Sequence, residues 1–361
     1  MNSIVCLDDL EKYSKRMLGK SVYDYYATGA NSEQTLHENV ESFQRIRLCP
    51  QLLKDVSERH LSTTILGRKL SFPVAIAPTA MHSLAHPEGE IATAKAAASL
   101  QSGMILSSWS TTSMEDVISA SPNCLHWFQL YIVKDRRLTE TIVRRAEKAG
   151  YKALVVTVDT PVVGIRLADL RNGFKVDSSI RLPNLEHENS SNTKGDLYGP
   201  IQISPAVTWK DVGWLKTITK LPIVLKGILS GSDAELAVEN GVAGIIVSNH
   251  GGRQLDGVLG TIDALPEVVE AVKGSDVEVY LDGGVRKGTD VLKALALGAR
   301  AVFIGRPVLW GLAYKGEEGV KMVLEMLKNE FSTAMALSGC TNAQEIPKSV
   351  IRYLPNHASK L

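Results

Sequence analysis

The chain is poor in cysteine. Its four thiols, Cys6, Cys49, Cys124 and Cys340, are scattered through 361 residues and form no metal-ligand or redox spacing. Free thiols in a reducing compartment are expected, with no bound metal. Charge of neither sign prevails, and a formal net charge of +1 gives no electrostatic reason to expect nucleic acid or an anionic membrane surface. No apolar run approaches a membrane span, and the N-terminus carries no signal-peptide core. Both Gly-x-x-x-x-Gly-Lys-Ser/Thr and Gly-x-Gly-x-x-Gly are missing, so a nucleoside triphosphate, or a dinucleotide in a domain of its own, is unsupported. Aromatics are 6% of the chain beside 44% hydrophobic residues, which suits an ordinary soluble α/β protein.

What the chain does have is a repeated unit. From residue 72 onward, a short apolar strand pattern followed by a helical pattern recurs every 25 to 45 residues or so. The strands read at 73–80, 104–109, 126–132, 153–159, 222–227, 244–250, 277–283 and 301–306. Helices read at 88–100, 114–121, 137–150, 208–219, 233–241, 262–273, 288–297 and 317–337. Eight such units with continuous apolar strands predict an α/β fold, a (β/α)₈ TIM barrel. A doubly wound sheet is the alternative, but the missing dinucleotide fingerprint favours closure. Length alone would suggest two domains, yet one barrel typically takes about 250 residues before extensions. The expected layout is one domain over 1–361. It comprises a mostly helical extension at 1–70, the barrel at 71–340, a mobile loop at 167–206 rich in Asn, Ser and Glu, and a tail at 341–361 packed near the barrel base.

Active sites of such barrels lie at the C-terminal strand ends. The sharpest stretch is Gly244 to Gly257, where the apolar run Ile245-Ile246-Val247 stops at Ser248-Asn249-His250 and Gly251-Gly252 turns the backbone toward Arg253. A proton acceptor and a fixed cation thus stand together just past a buried strand. The other ends supply Pro78-Thr79-Ala80, Ser107-Ser108-Trp109, Gln129-Leu130-Tyr131, Thr157-Val158-Asp159 and Lys226. The seventh and eighth ends, Asp282-Gly283-Gly284-Val285-Arg286 and Gly305-Arg306, combine glycine amides with arginine, as a phosphate cradle requires. Gln129, Thr157, Ser107 and the backbone at Thr79 suit a polar heterocycle. Lys226 could stabilise the anion of a reduced flavin, form a Schiff base, or pair with Asp282 or Asp159. The three tyrosines in Tyr23-Asp24-Tyr25-Tyr26 read first as packing.

Together these motifs resemble the FMN-dependent 2-hydroxy-acid oxidase family, its glycolate and long-chain branch in particular. The matching runs are Val22-Tyr-Asp-Tyr-Tyr-Ala, Ile76-Ala-Pro-Thr-Ala, Ser107-Ser-Trp, Phe128-Gln-Leu-Tyr, Thr157-Val-Asp-Thr-Pro, Leu225-Lys-Gly, Ser248-Asn-His-Gly-Gly-Arg-Gln-Leu-Asp, Leu281-Asp-Gly-Gly-Val-Arg and Ile304-Gly-Arg-Pro. The resemblance implies FMN contacted by Pro78, Thr79, Ala80, Ser107, Gln129, Tyr131, Thr157, Lys226 and Ser248. It places the phosphate at Asp282, Gly283, Gly284, Val285 and Arg286 and at Gly305 and Arg306. Arg166 and Arg253 would hold the substrate carboxylate, helped by Tyr25 and Tyr131, and Trp109 would restrict the substrate side chain. His250 would be the base and Asp159 its partner. Hydride transfer from Cα and prior formation of a carbanion both stay open. The resemblance also implies a homotetramer.

This chain has Val162-Val163-Gly164-Ile165 before Arg166, where the family often carries further arginines. That makes the lip more apolar, as in the long-chain branch, whereas Tyr25 and Trp109 suit glycolate. The terminal Ser359-Lys360-Leu361 reads as an address for the peroxisomal import receptor. Two other classes stand beside the leading reading. One is a dehydrogenase on the same fold that passes electrons to a quinone or cytochrome, and the other is a flavin-free barrel enzyme using Lys226 as a Schiff base.

Overall fold

The computed structural model describes residues 3–177, 179–186 and 203–353. The N-terminal extension begins with α1 (Leu7–Met17), α2 (Lys20–Ala27) and α3 (Gln34–Arg45) and continues into β1 (Ile46–Leu48). It ends in an antiparallel hairpin of β2 (Thr63–Ile65) and β3 (Arg68–Leu70). The expectation of a mostly helical extension therefore holds only to Arg45. Three-residue strands are too short to carry a period-2 pattern, which is why the sequence hides them.

Eight parallel strands then close into a barrel: β4 (Val74–Ile76), β5 (Gly103–Leu106), β6 (Leu125–Leu130), β7 (Leu154–Thr157), β8 (Ile223–Ile228), β9 (Gly244–Val247), β10 (Glu278–Asp282) and β11 (Ala301–Ile304). They pair in chain order, and β11 returns to β4 in the register Phe303↔Ala75. Closure is thus the expected one. Alternate residues point inward and form a core of their own, including Ala75, Ile105, Trp127, Val155, Val224, Ile246, Tyr280 and Phe303. Trp127, Tyr280 and Phe303 meet with ring centroids 5.5 to 5.8 Å apart. Ile65 and Leu70 of the hairpin belong to the same inner core, so β2–β3 plugs the barrel from the end opposite the active-site face.

The outer helices are α4 (Gly89–Ser99), α5 (Met114–Ala120), α6 (Arg136–Ala149), α8 (Trp209–Ile218), α9 (Gly231–Glu239), α10 (Thr261–Ala271), α11 (Gly288–Ala296) and α12 (Arg306–Leu337). One extra helix, α7 (Leu167–Asn172), stands where a loop is expected. It is a single short segment stopped by Gly173 at φ +56°, and six residues give too little periodicity to reveal it. Helix α12 starts at Arg306 and kinks at Lys315–Gly316, so the helix read from 317 is only its second half. Most strands are also shorter than expected at their C-terminal ends; Pro78 to Ala80 leave the ladder to line the cleft. At the end of the described chain, β12 (Ile351–Tyr353) pairs antiparallel with β1, joining tail to extension. Residues 187–202 of the expected loop, and Ser359, Lys360 and Leu361, lie outside the described residues.

Candidate active site

A cleft opens at the C-terminal strand ends. Its lining brings together Pro78, Thr79, Ala80, Ser107, Trp109, Gln129, Tyr131, Thr157, Lys226, Asp282, Gly283, Gly284, Val285, Arg286, Gly305 and Arg306, along with Tyr25 from α2, Arg166, His250 and Arg253. Asp159 and Ser248 are not part of the lining and stand behind it. Ser248 Oγ accepts from Lys226 Nζ at 3.0 Å, and Asp159 Oδ1 lies 2.8 Å from His250 Nδ1.

The turn after β9 is unusual backbone. His250, Gly251 and Gly252 all have left-handed φ, at +59°, +64° and +74°. A histidine there is strained, and its backbone N–H is tied to Ser248 Oγ at 3.1 Å. The turn holds the imidazole edge-on between two groups. Nδ1 faces Asp159, whose Oδ1 also accepts from Thr160 Oγ1 at 2.8 Å. Nε2 lies 3.4 Å from the Tyr131 hydroxyl. Room for Asp159 comes from Gly227, at φ +119°, where a Cβ would come within 2.7 Å of Asp159 Cβ.

Burial holds the His250 imidazole below its ordinary value of 6.5; Lys226 and Arg166 push the same way, and Asp159 opposes them. The imidazole is therefore neutral at neutral pH. Burial acts to raise Asp159, but the charges of His250 and Lys226 outweigh it and hold the carboxyl below its ordinary range. Desolvation raises Tyr131, so its hydroxyl keeps its proton.

Two cationic regions flank this centre. Arg253 donates to the Tyr25 and Thr28 carbonyls and lies over the Tyr25 ring at 5.0 Å. Arg166 stands at the entry to α7, 3.7 Å from Asp169. At the far end of the cleft are Arg286 and Arg306. Arg306 donates to the carbonyls of Tyr26, Gly251 and Thr28 at 2.8 to 2.9 Å, so most of its fork already braces the backbone. Burial, with Arg253 and Arg286 close by, lowers Arg306 to about 9. Such a concentration of buried positive charge calls for an anion, and the N-terminus of α12, with Gly305 as cap, adds backbone donors to it. Gly284 is required for another reason as well, since a Cβ there would lie 1.9 Å from the Asn39 carbonyl of α3.

The opposite wall is polar, with neutral hydrogen-bonding side chains beside one buried ion pair. Gln129 Oε1 accepts from Ser108 N at 3.0 Å, and its Nε2 donates to Thr157 Oγ1 at 3.0 Å. Lys226 pairs with Asp282 at 3.5 Å as well as with Ser248. Among the described residues, no cluster of three or more His, Cys, Asp or Glu side chains is placed to hold a metal ion.

Sequence reasoning left several residues of this centre without a role. Thr160 and Gly227 shape Asp159, and Tyr26 donates to the Met81 carbonyl at 2.5 Å. Gln254 donates to the Asp159 and Val162 carbonyls and accepts from Gly164 N, stitching the loop after β7 to the loop after β9. Gln254 sits inside the Ser248–Asp256 motif, so its place was legible although its partners were not.

The model of the FMN-dependent dehydrogenase family matches residues 14–353. The chain is 54% identical over 367 residues to 2-hydroxyacid oxidase 1 of Homo sapiens, covering 99% of each chain. It is 52% identical over 354 residues to glycolate oxidase of Spinacia oleracea, covering 96% of this chain and 95% of the other. Among solved structures, a point variant of mandelate oxidase with (S)-mandelic acid matches with a TM-score of 0.89 at 39% identity, covering 98% of this chain and 99% of that one.

Proposed function

This chain belongs to the FMN-dependent dehydrogenase family, and on that premise we propose that it oxidises short (S)-2-hydroxy acids to 2-oxo acids with release of hydrogen peroxide. The observation that carries the reading is the neutral His250, its Nδ1 on Asp159 and its Nε2 beside Tyr131, facing a cleft with arginines on either side. The donor set fits FMN. Arg286, Gly305 with the start of α12, and the partly engaged Arg306 would hold the phosphate. Gln129, Ser107, Thr157, Lys226 and the backbone of Pro78, Thr79 and Ala80 would hold the ring. When bound, FMN supplies an acceptor for two electrons that oxygen can regenerate.

The chain's own residues do the rest. Arg166 and Arg253 bind the carboxylate and orient Cα, with the Tyr25 and Tyr131 hydroxyls as further donors. His250 Nε2 accepts the proton released from the 2-hydroxyl. Asp159 stabilises the imidazolium that results and holds the ring in the required tautomer. The buried Lys226 supplies a fixed positive charge to the ring-binding wall.

Substrate length follows from which apolar residues line the cleft. Trp109, Val163 and Ile203 are among those that do, and Trp109 stands edge-on to Tyr131 with centroids 6.5 Å apart. Val162 and Ile165, read from the sequence as an apolar lip, are 67% and 58% exposed and are not part of the lining. The geometry therefore favours small acids such as glycolate. The test is hydrogen peroxide release by the purified protein in air, across 2-hydroxy acids of increasing chain length. Highest activity on the shortest acids supports the reading, and activity rising with length overturns its substrate half. Slow reoxidation in air would instead favour an acceptor other than oxygen.

The proposal extends to a peroxisomal setting, resting on Ser359-Lys360-Leu361 as an import address, and to a homotetramer. Removing the tripeptide from a chain tagged at its N-terminus should redistribute the protein to the cytosol, and sedimentation should give four chains per particle.

A further inference from the structure

Two buried titratable side chains have no part in the chemistry above. His82 and Glu90 are both fully buried behind the loops that follow β4 and β5. Glu90 is a hub. Its carboxylate accepts from His82 N at 3.0 Å, Thr111 N at 2.9 Å, Thr111 Oγ1 at 2.7 Å and Thr112 Oγ1 at 2.9 Å. It thereby ties the loop carrying Thr79 and Ala80 to the loop carrying Trp109, and Met81 N donates to the Trp109 carbonyl at 3.0 Å across the same seam.

The hydrogen-bond pattern around His82 sets its tautomer. Thr93 Oγ1 lies 3.3 Å from the Gly89 carbonyl and 3.0 Å from His82 Nδ1; we assign its proton to the carbonyl, as the helical i−4 position of Gly89 favours, so that toward Nδ1 it accepts. The proton is then on Nδ1, and Nε2 carries a lone pair. Burial disfavours the charged imidazole, which keeps Nε2 free to accept. Its other neighbour is the hydroxyl of Thr79, in direct contact, which must donate its proton to Nε2. The Thr79 methyl faces Gly305, where an added Cβ would lie 3.4 Å from Thr79 Cγ2. The contact of Oγ1 with His82 Nε2 orients the stiff β-branched side chain of Thr79.

We propose that His82 is a positioning residue for the cofactor. Through Thr79 it turns the Thr79 oxygen lone pairs toward the cleft, and the wall there accepts a hydrogen bond from an N–H group of bound FMN. Glu90 anchors the arrangement by holding both loops. The inference rests on the FMN reading.

The test is titration of FMN into the apoprotein, followed by flavin fluorescence, with thermal unfolding to establish that each variant folds. Loss of one such hydrogen bond costs roughly tenfold in affinity, about 1.4 kcal/mol. His82→Leu and Thr79→Val should each weaken FMN by about that factor. The double variant should be no weaker than either, because both remove the same interaction. His82→Gln should stay within about twofold of wild type, since an amide offers one donor and one acceptor as the neutral ring does. The inference is overturned if His82→Leu binds FMN as wild type does, or if the two losses add. Should His82→Leu fail to fold, Thr79→Val alone decides, and unchanged affinity in it overturns the inference. A wild-type apoprotein that takes up no FMN overturns the cofactor reading itself.

Discussion

At the residue scale, His250 is the proposed base, and its environment makes a signed pH prediction. Its pKa lies below 6.5 in the folded protein, so the base is available above that pH and lost as pH falls through the lowered value. The acid limb of kcat/KM should therefore lie below pH 6.5. Asp159 works against the lowering, so Asp159→Asn should move that limb to still lower pH and reduce kcat, because the imidazolium loses its counter-charge. A limb unchanged in the variant would remove Asp159 as the partner. His250→Gln should leave FMN bound while slowing flavin reduction by about 10² to 10⁴, the usual worth of a positioned base. Arg253→Lys should raise KM by about tenfold or more, since a lysine cannot make a bidentate pair with a carboxylate. Of the residues concerned, His250 and Arg253 were legible because glycines and an apolar strand frame them. Thr160 and Gly227 were not, because their importance is a distance to Asp159 that no local pattern encodes.

At the level of elements, the irregularity near the end of β8, between Lys226 and Ile228, shows how backbone and chemistry are coupled. Gly227→Ala meets two obstacles, an unfavourable φ of +119° and a Cβ placed 2.7 Å from Asp159 Cβ. Gly150, the αL cap of α6 at φ +102°, meets only the first, with nothing within 4 Å of its Cβ. Each alanine should cost about 1 kcal/mol or more in denaturant unfolding from backbone strain. Only Gly227→Ala should also depress kcat; equal kcat in the two variants would show that Asp159 tolerates displacement. The hairpin β2–β3 is a purely structural element by contrast. Leu70→Ala should destabilise by about 2 to 5 kcal/mol, as for other buried leucines, without moving the pH profile. The barrel helices were legible as long periodic segments. The hairpin, α7 and the true start of α12 were not, because three- and six-residue elements and a kink at Gly316 leave no sustained period.

For the whole molecule, a cleft that gathers Arg253, Arg286, Arg306 and Lys226 keeps positive charges together at a cost in stability until an anion joins them. Bound FMN should offset that cost by mass action, stabilising the fold by about 2.7 kcal/mol at a hundredfold excess over Kd. Thermal unfolding with and without added FMN checks this, and an identical midpoint would contradict it. Among the described residues, no helix is long and apolar enough to cross a membrane.

Strand–helix alternation and polar strand ends were decided by the sequence itself, because a two-sided buried strand must be apolar along its length and a barrel exposes only its C-terminal ends to chemistry. That was enough to list the cleft residues. The pairing of Asp159 with His250 was implied only through the family resemblance, and the tertiary structure places the two in contact; it alone decided that Lys226 pairs with Ser248 and Asp282, and that Arg306 bonds three backbone carbonyls. The reason is physical. Burial and periodicity are local properties written along the chain, whereas an ion pair or a proton-accepting geometry is set by a few ångströms between segments as far apart as residues 159 and 250.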